Sequence, residues 1–158
     1  MMLQTVYRKV ASMSTGEDHV KGIMSSPVVH VAPHATVAQA LRTMIDRDIG
    51  AVVVVDGASV VGVFTERDFT KRLLDDADLL DREVGEVMST PVTTVSPADE
   101  VVFLFRLMTE ERIRRLPVID GGLLVGIVTE RDLLRWVDAV ATSPPAAQQI
   151  RQGGPAQD

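Results

Sequence analysis

The chain repeats itself. Shifted by 64 residues, Val20–Phe69 overlays Val84–Leu133 for 50 positions without a gap, and 20 of these are identical. Met24-Ser25-Ser26-Pro27-Val28 meets Met88-Ser89-Thr90-Pro91-Val92, and Gly62-Val63-Phe64-Thr65-Glu66-Arg67-Asp68 meets Gly126-Ile127-Val128-Thr129-Glu130-Arg131-Asp132. Two copies are too few for a solenoid, so the expectation is a closed pair about a pseudo-twofold axis. A unit of this size is marginal alone, which predicts that the copies share one core.

Each copy follows the same order. A short apolar run (Val28–Val31; Val92–Val95) leads through a proline-containing turn to an amphipathic helix. Its apolar positions are Val37, Ala40, Leu41, Met44 and Ile45, or Val101, Leu104, Phe105 and Met108, the spacing of one helix face. Two β-branched runs follow, Ala51–Val55 with Ser59–Phe64 and Leu116–Ile119 with Leu123–Val128. Asp56-Gly57 and Asp120-Gly121 join them, a hairpin signal because the tight turn needs positive φ. The runs are apolar on both faces, which predicts a sheet covered on both sides. A last helix opens at Thr65 or Thr129. The fold class is therefore α/β (α+β), two strand-helix-strand-strand-helix repeats packed through their sheets.

The chain divides into a leader over 1–19, repeats over 20–75 and 84–142, an acidic connector over 76–83 and a tail over 143–158. Leu3, Val6, Tyr7 and Val10 sit at helical spacing in the leader. The connector is expected to be a solvated link. The tail, rich in Pro, Gln, Gly and Ala, is expected to be disordered.

Composition narrows the function. A net charge of −6 speaks against a nucleic-acid binder and a polybasic membrane anchor. With no cysteine there are no disulfides, thiolate metal sites or cysteine nucleophiles. No apolar stretch approaches bilayer length, and Met1–Ser12 lacks a continuous apolar core, so the expected location is the cytoplasm. No nucleophile–base–acid set is visible, and no enzyme is expected.

The chemistry-bearing element is strand-Gly-h-h-Thr-Glu-Arg-Asp-helix, present twice. Its plain reading is a helix cap, with Thr as N-cap and the acid at N3. Its functional reading starts from the free N–H groups and partial positive charge of a helix N-terminus. A carboxylate there is wrong for gripping phosphate but right for accepting two ribose hydroxyls. Thr with Asp thus points to a nucleoside. Gly62 and Gly126 would let the backbone approach such a ligand, or else mark a strand bend.

With these residues in view, the chain resembles a tandem pair of CBS domains, the cystathionine-β-synthase module, from Val20 to about Val137. The resemblance implies two clefts about a pseudo-twofold axis and dimerisation into a flat disc. It implies regulatory adenosine ligands (AMP, ADP, ATP, S-adenosylmethionine, NAD or cyclic dinucleotides), with no catalytic cofactor and an unidentified protein partner acted on in trans. Carried over, Val63, Thr65 and Asp68 face Thr90, Pro91, Val92, Ile113, Arg114 and Arg115 of the other copy. Likewise Ile127, Thr129 and Asp132 face Ser26, Pro27, Val28, Ile49, Gly50 and Ala51. The first cleft is then offered two guanidinium groups where the second has Gly50 and Ala51. Phosphorylated ligand is expected to prefer the Asp68 cleft. The alternative for Arg112, Arg114 and Arg115 is a solvated helix end.

A ligand-free interaction module, its motifs only caps, is the rival reading. His30 and His34 are four apart with Pro33 between them, a poor metal site, and the second copy has Thr94 and Ala98 there. Met24, Met44, Met88 and Met108 repeat with the fold and read as core. Phe69 and Trp136 suit either core or an interface.

Overall fold

Runs of β-branched residues form the strands, and the capped amphipathic segments form the helices. The computed structural model describes residues 8–12 and 18–142. In the first repeat, β1 (His30–Val31), α1 (Val37–Asp46), β2 (Ala51–Asp56), β3 (Ser59–Thr65) and α2 (Glu66–Arg72) follow in order. In the second come α3 (Val84–Val87), α4 (Val101–Glu110), β4 (Arg115–Asp120), β5 (Leu123–Thr129) and α5 (Glu130–Thr142). Residues 8–12 are helical and Val10 is buried, while Leu3, Val6, Tyr7 and the tail lie outside the described residues.

The hairpins agree with the turn chemistry. Gly57 has φ 58°, Gly121 55° and Gly122 84°, the left-handed values such turns need. Both hairpins shift register at the same place, between Val54 and Val55 and between Val118 and Ile119. Four successive residues of β2, Ala51 to Val54, are buried, so that sheet is covered on both faces.

The first strands are shorter than the apolar runs suggest, and the copies differ. β1 keeps two residues, parallel to β2. In the second copy only a single bridge, Val95 to Val118, remains. The reason lies in one residue. The Val53 N–H donates to the Val29 carbonyl at 3.3 Å. Pro117 stands at the equivalent place and has no N–H to give. The sheets are accordingly three-stranded and two-stranded.

The interior is two interlocked clusters rather than the one shared core expected from size. Val20, with Ile23 and Met24 beside it, begins the first repeat yet packs in the core of the second, alongside Val10, Leu104, Leu116 and Trp136. Val84 and Val87, with Met88 beside them, begin the second repeat yet pack in the core of the first, with Val37, Val52 and Phe64. Backbone bridges fasten the exchange, Ser25 to Ile127 and Ser89 to Val63. The methionines end directly over the strand glycines. A Cβ on Gly62 would stand 2.1 Å from Met88 Sδ and 2.7 Å from its Cγ. A Cβ on Gly126 would stand 2.5 Å from Met24 Sδ. These glycines admit a side chain of the other repeat, not a ligand as the sequence suggested. Gly62→Ala should cost about 1–3 kcal/mol by overpacking. Chemical denaturation of a Gly62→Ala, Met88→Ala cycle checks this, with the double variant losing less than the sum of the singles. An additive cycle would deny the contact.

Two further expectations change, and one alternative left open is decided. The connector is not a free link, because Leu79, in a 3₁₀ turn over Leu79–Asp81, is 1% exposed and belongs to the first core. Beside it Arg82 bonds Glu86 (2.9 Å) and Asp76 (3.2 Å), and its pKa is raised, chiefly by the Glu86 hydrogen bond. Ile45, expected on the buried face of α1, is 76% exposed. Trp136 and Phe69 both pack into their own repeats' cores.

Candidate functional site

Each last helix starts on a threonine and is locked there by its own aspartate. The Thr65 N–H (2.9 Å) and Oγ1 hydroxyl (2.7 Å) both donate to Asp68 Oδ2, and the Asp68 N–H donates back to Thr65 Oγ1 at 3.2 Å. Thr129 and Asp132 repeat this at 2.8, 2.7 and 3.3 Å. The cap reading is therefore correct for both motifs. It does not exhaust the carboxylates. Asp68 and Asp132 are only 7% and 8% exposed, the two charged side chains buried among the described residues. Burying a carboxylate is costly unless hydrogen bonds satisfy it.

Both carboxylates line clefts walled by the two repeats together. The first, about 490 Å³, is lined by Val63, Thr65 and Asp68 on one side and by Pro91, Val92, Ile113, Arg114 and Arg115 on the other. The second, about 910 Å³, brings Ile127, Thr129 and Asp132 to Pro27, Val28, Ile49, Gly50 and Ala51. Thr90 and Ser26 are exposed and line neither cleft; Ser89 and Ser25, one residue earlier, take those places. They sit there because they are the residues bridged to β3 and β5.

The carboxylates are not equally open. An ionised carboxylate has about four lone-pair sites. On Asp68, Thr65 takes two at Oδ2 and the Ser89 hydroxyl takes one at Oδ1, at 2.8 Å. One site remains, so Asp68 accepts one added hydroxyl, not the two expected, unless Ser89 turns away. On Asp132, Oδ1 faces Arg135 Nη1 at 3.6 Å and keeps its acceptor capacity for both hydroxyls of a diol.

Charge differs as well, though not for the reason the sequence offered. Arg114 and Arg115 line both clefts, so they do not belong to the first alone. The imbalance comes from residues that the sequence did not assign to either cleft. Arg67, Lys71 and Arg112 join them in the first cleft against the single carboxylate of Asp68. In the second, Arg131 and Arg135 are offset by Asp48, Glu66, Glu130 and Asp132. Leu41, Met44 and Ile45 of α1 add an apolar wall there, absent from the expected set.

A family model for the CBS domain matches residues 20–75 and again residues 84–139. The chain belongs to the CBS domain family. This CBS pair is 35% identical over 114 residues to the CBS domain-containing protein YhcV of Bacillus subtilis, covering 72% of the chain and 81% of that protein. Some other curated relatives are longer, and the chain spans 36% to 62% of three archaeal ones. Among solved structures, the CBS domain pair of protein MJ0100 in complex with 5′-methylthioadenosine and S-adenosyl-L-methionine matches with TM-score 0.70 and 27% identity, over 77% of this chain and 96% of that one. CBSX2 in complex with AMP matches with TM-score 0.69 and 25% identity, over 78% and 98%. Among the described residues, no helix is long and apolar enough to cross a membrane, and no group of three or more His, Asp or Glu could hold a metal ion.

Proposed function

We propose that this CBS pair is a regulatory sensor of adenosine nucleotides, without catalysis of its own. The observation that carries the reading is the pair of buried aspartates, each at a helix N-terminus with acceptor capacity left toward a cleft built by both repeats. A ribose diol suits such an acceptor. The complexes of related pairs with AMP and with S-adenosylmethionine support the ligand class. The five cations of the first cleft favour the phosphorylated ligand there. The balanced, partly apolar second cleft suits a ligand with less phosphate.

Because each cleft has walls from both repeats, a ligand binds best to one relative arrangement of them. Occupancy then shifts the population toward that arrangement, and a partner in trans reads it. The working form is a homodimer in the cytoplasm, which light scattering and fractionation would test. Thermal shift decides between a sensor and a ligand-free interaction module. AMP, ATP, NAD or S-adenosylmethionine at 100 times its dissociation constant should stabilise the fold by about 2.7 kcal/mol. No shift with any of them at millimolar concentration leaves the motifs as caps alone.

A further inference from the structure

The two clefts meet at one wall, and the cations on that wall are Arg114 and Arg115. Both stand at the start of the second repeat's hairpin, where the first repeat has Gly50 and Ala51. The equivalent corner of the first repeat therefore supplies no cation. The Arg115 side chain fills the gap. Its Nη2 lies 2.9 Å from where a Cβ on Gly50 would be, next to Glu66 Oε2 at 3.0 Å from the same point. Arg114 Nε faces Glu130 Oε2 at 3.9 Å, and its side chain is 71% exposed. Arg114 has only this long contact and Arg115, half-buried against Gly50, makes no ion pair among the described residues, so neither guanidinium is committed to a carboxylate that a phosphate would have to displace. A guanidinium grips phosphate through two parallel N–H bonds with fixed geometry, and it does so in one place at a time.

We propose that the two clefts compete for Arg114 and Arg115, so that a phosphorylated ligand in one weakens phosphate binding in the other. A nucleoside without phosphate makes no demand on the guanidiniums and leaves the other cleft unaffected. With a phosphorylated ligand in one cleft, the other cleft then shifts its preference toward an unphosphorylated adenosine compound. This rests on the nucleotide reading above. By linkage the weakening is the same in both directions.

Calorimetry on the full chain tests it with AMP and adenosine as probes. Asp132→Ala and Asp68→Ala each weaken one cleft, so the tighter transition of each variant gives the affinity of the other cleft while its neighbour is empty. In the unaltered chain, the product of the two AMP dissociation constants should exceed the product of those single-cleft values by about five- to 150-fold. With adenosine the two products should agree. In R114A/R115A, with the same single-cleft variants made on that background, they should agree for AMP as well. Agreement for AMP in the unaltered chain would make the clefts independent and overturn the competition while leaving the sensor intact. A discrepancy that persists in R114A/R115A would show direct phosphate repulsion and overturn it also. No binding of AMP to the unaltered chain would also overturn the competition, and the sensor reading would then stand or fall on the thermal shifts with ATP, NAD and S-adenosylmethionine.

Discussion

Asp132→Ala should weaken adenosine binding in the second cleft by roughly ten- to 150-fold, the value of one charge-assisted hydrogen bond of about 1.5–3 kcal/mol. Loss of the second hydroxyl contact would add to this. Asp68→Ala should cost the first cleft less, because Ser89 and Thr65 already occupy three of the Asp68 acceptor sites. Calorimetry with adenosine on each variant makes the comparison. Either substitution also removes the aspartate half of a capping box while the threonine cap stays, so stability should fall by about 0.5–2 kcal/mol. Asp132→Asn, which keeps the shape and loses the charge, separates the two effects. Adenosine affinity unchanged in both Asp132 variants would remove the aspartate from ligand binding.

Leu79→Ala should destabilise the fold by about 2–5 kcal/mol, the cost of emptying a buried leucine site. A leucine in an exposed linker would cost within about 0.5 kcal/mol, and a urea titration reading so little would return the connector to solvent. The prediction follows from the position of Leu79 among Val37, Phe64 and Val84, residues of both repeats. Arg82 does not carry this segment. Its ion pairs with Asp76 and Glu86 are solvent-exposed, and pairs of that kind contribute little.

Much of the fold could be read from local pattern. The β-branched runs, the Asp-Gly hairpins and the threonine caps depend on neighbours within a few residues, and all are where the sequence puts them. The strand expected over Val92–Val95 reduces to one bridge, because Pro117 replaces Val53 and cannot donate, a signal the apolar pattern of the run itself does not carry. Position Ile45 misled because helical spacing fixes a face, not what covers it. That residue points to the rim of a cleft.

The duplication, the hairpins and the placement of one acid at each helix start follow from the amino-acid sequence alone, because each is settled by short-range geometry. Tertiary structure decided the rest. It put Met24 and Met88 over the opposite repeat's glycines, chose Ser89 over Thr90 through strand register, and laid Arg114 and Arg115 along a wall facing both clefts. Long side chains can reach either way from one backbone position, and only the packing of distant segments selects the direction.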